Sequence, residues 1–130
     1  MEPLGILLYG YSENDSKKIK KILEELMKDP IILISGSKKE NVKVLDILEY
    51  GPDDNYEDKE NKILLFLGFN DEQIDKVLQN FPDNIENEIQ RPIFCGLTQE
   101  NVNWTLEYLV EHLLEEDKYW KSKKNNYEDN

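Results

Sequence analysis

The sequence contains little of what secreted, catalytic or metal-binding proteins depend on. There is one cysteine, Cys95, so no intrachain disulfide can form, which fits a reducing compartment. There is also one histidine, His112, and one arginine, Arg91. The first ten residues have no basic segment, and their apolar run is too short for a signal peptide or a membrane span. We therefore expect a cytoplasmic protein.

Positive charge is scarce in the second half of the chain. Among the 130 residues, 16 are basic and 28 are acidic, and the net charge is −12. Residues 1–50 carry 8 lysines and 9 acidic residues, whereas residues 51–130 carry 8 basic and 19 acidic residues. Because such a surface repels phosphate groups, we expect neither nucleic acid nor an anionic membrane as a partner.

The chain contains an internal repeat. Residues 6–15, ILLYGYSEND, match residues 64–73, LLFLGFNDEQ, in having an apolar run, a glycine, an aromatic residue, a helix-capping residue and acids. Residues 30–42 match residues 92–102, since both contain a proline, an apolar run, a turn and the letters ENV. Repeats constrain the whole fold, and this one indicates two β-α-β-α units.

The first unit is predicted from its apolar periodicity. A strand over residues 4–9 leads to Ser12, which we expect to cap a helix, and Ile31–Ser35 form the second strand. Ser37 and Glu40 match the capping-box pattern at the start of a second helix. The apolar stripe of that helix is predicted at Val42, Leu45 and Leu48.

The second unit follows the same order. A strand over Ile63–Leu67 precedes Asn70, a predicted N-cap with Gln73 at the N3 position. The helix that follows has its apolar stripe at Ile74, Val77, Leu78 and Phe81. A polar connection leads to a strand over Pro92–Leu97 and then to the last helix, over residues 102–120. The core positions of the last helix are Leu106, Leu109, Val110 and Leu113.

Apolar strands that alternate with helices predict a sheet covered on both faces. Right-handed crossovers then give a three-layer α/β sandwich, with a four-stranded, mostly parallel sheet in the order 2-1-3-4. If residues 41–50 form a strand, a ferredoxin-like α+β arrangement is the alternative. We predict a single domain over 1–120, with repeat one at 1–50, an acidic linker loop at 51–61, repeat two at 62–120, and a disordered tail at 121–130.

Residues 97–106, LTQENVNWTL, combine Leu-Thr, two spaced asparagines and Trp-Thr-Leu ahead of an acidic helix. This pattern resembles the signature of domain-of-unknown-function family 3783, small prokaryotic proteins. Residues 64–75 and the opening ILLYGYS are similar to two further segments of that family. Glu100 and Val102 depart from the family pattern, which has a Thr and a polar residue there. The family has no assigned activity, so the resemblance implies a fold and no mechanism.

Two neighbouring groups of residues are candidate ligand-binding positions. In a doubly wound sheet, ligands bind beyond the carboxyl ends of the strands, where we expect the loops at Gly10 and Gly68 to meet. Beside them, Thr98, Asn101 and Asn103 offer more hydrogen-bonding groups than the start of a helix needs. Neither loop carries a phosphate-binding glycine motif, so no cofactor is expected.

Four aromatic residues of the last helix are candidate interface residues. Trp104 and Tyr108 are i, i+4 neighbours beside the leucine stripe, and Tyr119 and Trp120 lie near the end of the helix. Aromatic side chains that the core cannot cover mark interfaces, although the four residues can also pack on their own domain.

Catalytic and metal chemistry have no support in the sequence. Cys95 lies in a strand, and a cysteine nucleophile needs a base and an orienting third group within reach. His112 and Glu116 by themselves do not make a zinc site. We therefore expect a non-enzymatic domain with no metal, whose partner is another protein or a second copy of the chain. Small-ligand binding at the crevice is the alternative.

Overall fold

The apolar runs of both halves form the strands of one sheet in the computed structural model. It describes the backbone of residues 3–81, 84–85 and 89–128, and the side chains of residues 3–81 and 89–119. In chain order the elements are β1 (Leu4–Tyr9), α1 (Glu13–Met27), β2 (Ile31–Ser35), α2 (Val44–Tyr50), β3 (Ile63–Leu67), α3 (Asp71–Asn80), β4 (Asn84–Ile85), β5 (Ile89–Gln90), β6 (Ile93–Gly96), the 3₁₀ helix η1 (Asn101–Asn103) and α4 (Leu106–Glu128).

Two helices begin at the residues that the sequence predicts. The Ser12 hydroxyl accepts a hydrogen bond from the backbone N–H of Asp15 at 3.2 Å. Asn70 and Gln73 form a complete capping box, in which each side chain accepts a hydrogen bond from the backbone N–H of the other residue. These bonds satisfy N–H groups that have no partner inside the helix, so local sequence alone is enough to start α1 and α3.

The strand order agrees with the prediction, but one strand direction does not. The four-stranded sheet has the order β2-β1-β3-β6. Strand β1 pairs in parallel with β2, and β3 pairs in parallel with β6, whereas β1 and β3 are antiparallel. The sheet is therefore mixed, because the two parallel pairs run in opposite directions.

The segment between α2 and β3 explains this reversal. It returns along the carboxyl ends of β1 and β2: the backbone N–H of Lys59 donates to the carbonyl oxygen of Gly10 at 2.9 Å, and Lys39 forms an ion pair with Asp53. Ile63 therefore enters the sheet opposite Tyr9, at the carboxyl end of β1. Residues 51–61 were predicted to be an exposed linker, but part of the segment is packed against the sheet.

The predicted crevice between Gly10 and Gly68 does not form. A side chain on Gly10 would clash with the carbonyl oxygen of Asn61, two residues before β3. A side chain on Gly68 would meet the carbonyl oxygen of Pro3 at 3.1 Å, directly before β1. Because β1 and β3 are antiparallel, the two glycine loops lie at opposite ends of the sheet.

The core consists of two clusters that take alternate residues of the strands. Leu4, Ile6 and Leu8 of β1 pack in one cluster with buried residues of α1 and α3. Leu7 and Tyr9 pack in the other cluster with buried residues of α2 and α4. All six residues of β1 are buried, as expected for a central strand between two apolar surfaces. The predicted core positions of the last helix are confirmed as buried: Leu106, Leu109, Val110 and Leu113.

The second helix starts later than predicted. It begins at Val44 with Lys43 as the N-cap, and the Ser37 hydroxyl instead accepts a hydrogen bond from the backbone N–H of Glu57 at 2.9 Å. Its buried positions are Val44 and Ile47, so the predicted stripe has the wrong phase. Residues 41–50 nevertheless contain a helix, which removes the condition for the ferredoxin-like alternative.

Two further segments differ from the predictions. Residues predicted to be a plain connection contain β4 and β5, which pair antiparallel with Ile85 opposite Ile89. The last helix α4 begins at Leu106 rather than residue 102, after η1, and is assigned up to Glu128. The predicted tail at 121–130 overlaps the end of α4, and its last two residues lie outside the described part of the chain.

Candidate functional site

The polar loop after β6 is built around Asn101. The amide oxygen of Asn101 accepts a hydrogen bond from the backbone N–H of Thr98 at 2.8 Å. In return, the Thr98 hydroxyl accepts from the backbone N–H of Asn101 at 2.9 Å. This reciprocal pair has the hydrogen-bonding pattern of a capping box with Asn in place of Glu or Gln, and it closes the turn that leads into η1.

The amide nitrogen of Asn101 also has partners. It donates to the carbonyl oxygen of Gly96 at 3.0 Å and lies 3.7 Å from the Cys95 sulfur. Asn101 is buried, with 6% of its surface exposed, and both ends of its amide are bonded inside the protein. The side chain therefore covers the outer edge of β6 and leaves no hydrogen-bonding end for a ligand.

Asn103 has a different role from Asn101. It is exposed, and its amide nitrogen donates to the carbonyl oxygen of Gln99 at 3.0 Å. Because β6 is parallel to β3, the structure brings Thr98 and Gly68 to the same end of the sheet, whereas Gly10 lies at the other end. The five predicted ligand-binding residues thus do not form one site.

The start of α4 is held against the segment before α2 by a short antiparallel pairing. The backbone N–H of Val44 donates to the carbonyl oxygen of Trp104, and that of Leu106 donates to the carbonyl oxygen of Val42, both at 2.9 Å. Lys43 and Thr105 form the β-bridge between the two segments. The Thr105 hydroxyl then accepts from the backbone N–H of Tyr108 at 3.2 Å, which caps the first turn of α4. Trp104 is thereby held on a rigid junction.

An aromatic cluster of Trp104, Tyr108 and His112 covers this junction. The ring centroids of Trp104 and Tyr108 are 4.8 Å apart in an edge-to-face arrangement, and those of Trp104 and His112 are 5.0 Å apart. Trp104 is partly buried against the core cluster of α2 and α4, whereas 52% of Tyr108 is exposed. His112 also forms an ion pair with Glu116 at 3.2 Å when it is protonated.

The predicted interface residues separate into two groups. Trp104 and Tyr108 touch each other, and His112 joins them, although the sequence interpretation did not include it. The spacing 108, 112 was the available signal for His112, because residues four apart share one helix face, whereas Trp104 precedes α4 with an extended backbone. Tyr119 is 59% exposed and lies eleven residues beyond Tyr108, a rise of about 16 Å along a helix. The side chain of Trp120 lies outside the described residues.

The family resemblance of the loop signature is supported by a match to a protein-family model. The family model described as Domain of unknown function (DUF3783) matches residues 62–120. Residues 62–120 belong to the DUF3783 family. Comparisons with curated proteins and with solved structures found no match. The DUF3783 segment begins directly before β3 and contains the polar loop and the aromatic cluster.

Cys95 of the DUF3783 segment does not have the environment of a nucleophile. Burial, with a smaller contribution from the carboxylate of Glu116, raises the pKa of the Cys95 thiol to about 11. The protonated thiol lies 3.3 Å from the carbonyl oxygen of Gly96. A reactive cysteine has its pKa lowered rather than raised, so this thiol is a core group.

A cavity of about 700 Å³ lies beside Lys62 and Arg91. The Lys62 ammonium donates to the carbonyl oxygen of Gly10 at 2.8 Å and to the Asp58 carboxylate at 2.9 Å. Arg91 donates to the carbonyl oxygen of Phe81 at 2.7 Å, at the end of α3. Both cations therefore stabilise loops and helix ends.

Across the residues that the structure describes, no group of three or more His, Cys, Asp or Glu side chains is placed to hold a metal ion. In the same part of the chain, no helix combines the length and apolar character needed to cross a bilayer.

Proposed function

We propose that this protein is a non-enzymatic cytoplasmic domain that acts through protein–protein interaction, including self-association, at the aromatic cluster. The observation that carries the proposal is the half-exposed Tyr108, held against Trp104 on a junction that backbone hydrogen bonds make rigid. We also propose that the fold is a three-layer sandwich derived from two duplicated halves.

The physical argument rests on preorganisation. Tyrosine and tryptophan bury large areas with few rotatable bonds, so they dominate the binding energy of many interfaces. Here the rings already pack against each other, so little conformational entropy remains to be lost on binding. Val42, which is 36% exposed, lies on the segment that pairs with the start of α4.

The residues predicted to bind a small ligand do not form a common site. Gly10 and Gly68 lie at opposite ends of the sheet, and Asn101 is already bonded to Thr98 and Gly96. We therefore do not propose small-molecule binding in that crevice.

The experiment is sedimentation equilibrium, with native mass spectrometry, on the wild type and two variants. Tyr108→Ser removes the exposed ring while leaving the core intact, and we expect it to weaken association with any protein partner by about tenfold. Trp104→Ala is expected to give a monomer, but it also removes core contacts, so Tyr108→Ser is the decisive variant.

Tyr50→Ser is the matched control, because Tyr50 is 73% exposed and lies outside the aromatic cluster. It should associate like the wild type. Equal behaviour of Tyr108→Ser, Tyr50→Ser and the wild type would overturn the assignment of the interface to the aromatic cluster. A monomer that carries a reproducible extra mass would point to a small ligand instead.

A further inference from the structure

We propose that the partner of the aromatic cluster is a lysine-lined groove on a second copy of the chain, which deepens the function proposed above and depends on it. The groove lies between α1 and the edge strand β2, with a volume of about 560 Å³. We call it the lysine groove; Lys17, Lys20, Lys21 and Glu24 of α1 form one side, and residues 31–33 of β2 with Pro52 form the other.

The lysine groove offers both positive charge and apolar surface in a strongly acidic protein. Its three lysines lie within two turns of α1, and Ile32 is 41% exposed beside them. Lys20 pairs with Glu24 of the groove itself at 3.2 Å. Lys17 pairs with Glu13, and the two side chains are 65% and 54% exposed. Such surface ion pairs contribute little stability, so an incoming carboxylate can replace Glu13 at small cost.

The complementary charges lie on α4 beside the aromatic cluster. Glu107, Glu111 and Glu115 are all exposed and follow one another at four-residue intervals. They therefore form a row with one carboxylate per helical turn next to Tyr108. The lysines of α1 recur at the same interval of about one turn, at positions 17 and 21, so the two rows match in spacing as well as in sign.

The free edge of β2 favours a helix rather than a strand as the occupant of the groove. Gly36 donates to Leu8 of β1, so the backbone groups of Ile31 and Ser35 point away from β1. The N–H of Ile31 already donates to the Glu24 carboxylate at 3.0 Å, and the carbonyl oxygen of Ser35 accepts from the Lys39 ammonium at 2.8 Å. An added strand would have to break both bonds, whereas a helix face would not.

Charge also decides which surface of the second copy is used. A symmetric contact of α4 with α4 would place Glu107 and Glu111 of both copies against each other, and like charges at an interface oppose association. The contact between the aromatic cluster and the lysine groove joins two different surfaces. It is therefore heterologous and leaves one free groove and one free aromatic cluster, so more copies can add to form a chain or a ring.

The test uses two variants that each neutralise one surface, studied by sedimentation equilibrium. The groove variant is Lys17→Gln with Lys21→Gln, and the cluster variant is Glu107→Gln with Glu111→Gln. We expect each variant alone to associate about tenfold more weakly than the wild type. In a mixture, the groove variant supplies an intact aromatic cluster and the cluster variant supplies an intact lysine groove. The mixture should therefore form dimers and nothing larger. Lys18→Gln with Lys76→Gln is the matched control and should assemble like the wild type.

Three results would overturn the lysine groove as the partner surface. One is a groove variant that assembles like the wild type, and another is a mixture that forms no dimers. The third is a wild type that stays monomeric at all concentrations. None of these results by itself contradicts protein interaction at the aromatic cluster. That proposal fails only if Tyr108→Ser leaves every protein association unchanged.

Discussion

At the scale of single residues, Asn101 and Asn103 look alike in the sequence and differ in the structure. Asn101 is buried and bonds to Thr98 and Gly96, whereas Asn103 is exposed and bonds to Gln99. The difference arises because only Asn101 faces the edge of β6. The sequence alone gives both residues the same capacity to cap a helix.

We predict that Asn101→Ala lowers the free energy of unfolding by about 1–2 kcal/mol, because it removes the hydrogen bonds that the buried Asn101 amide makes to the backbone of Thr98 and Gly96. Urea denaturation followed by circular dichroism measures the change. Asn103→Ala is the control and should stay within about 0.5 kcal/mol of the wild type. Equal losses for the two variants would contradict the structural role assigned to Asn101.

A second prediction concerns Tyr11, whose hydroxyl donates to the carbonyl oxygen of Gln90 at 2.5 Å. Burial, and to a smaller degree the Asp15 carboxylate, raise the pKa of Tyr11 well above its ordinary value. The neutral phenol therefore favours the folded state. This stabilisation is complete below the unfolded pKa of about 10 and is lost as the pH rises further.

We expect Tyr11→Phe to lower the free energy of unfolding by about 1 kcal/mol at neutral pH, because the hydrogen bond is lost. The variant should also lose less stability than the wild type between about pH 10 and pH 11, since one titrating group is missing. Thermal unfolding across this range measures both effects. Parallel curves for the two proteins would show that Tyr11 does not titrate during unfolding.

At the scale of elements, β2 is an edge strand with one outward hydrogen-bonding group occupied by a side chain near each end. Glu24 of α1 covers one end and Lys39, before α2, covers the other. The hydrogen bond from Ile31 lowers the pKa of the Glu24 carboxyl, although desolvation opposes it in part. Uncovered edges pair with other chains, so we infer that these two side chains limit strand-to-strand aggregation.

We predict that Glu24→Ala combined with Lys39→Ala increases aggregation of the native protein through β2. Light scattering at a fixed low temperature measures the aggregation. Slower amide hydrogen exchange at Leu33 would show that β2 is the strand that pairs. Glu24→Gln is the control, because the glutamine oxygen still accepts from the Ile31 N–H. If the double variant stayed as monodisperse as Glu24→Gln, the side chains of Glu24 and Lys39 would not be what prevents aggregation through β2.

At the scale of the whole molecule, the net charge of −12 opposes compaction. We predict that the melting temperature rises as NaCl increases from about 0.01 M to about 0.1 M, since the Debye length falls from about 30 Å to about 10 Å. Differential scanning calorimetry measures the change, with an equal osmolality of sucrose as the control for solute effects. A melting temperature that falls with salt would show that attractive ion pairs outweigh the repulsion.

Much of the candidate site was predictable, because its signals are local. The sequence puts Trp104 and Tyr108 four residues apart in a predicted helix, and the two rings are in contact, although Trp104 has an extended backbone and precedes α4. The same spacing extends to His112. The grouping of Gly10 with Gly68 was wrong, because it assumed that β1 and β3 point the same way. No periodicity in the sequence carries that information, since burial patterns are the same for either strand direction.

The sequence by itself determined which residues form the four long strands, where α1 and α3 begin, and which face of α4 is buried. Those features follow from apolar runs, side-chain caps and helical spacing, all of which act between neighbours in the chain. Only the tertiary structure decided the direction of β3, the late start of α2 and the burial of Asn101. Each of these depends on contacts between distant residues: Lys59 with Gly10, Val44 with Trp104, and Asn101 with the edge of β6.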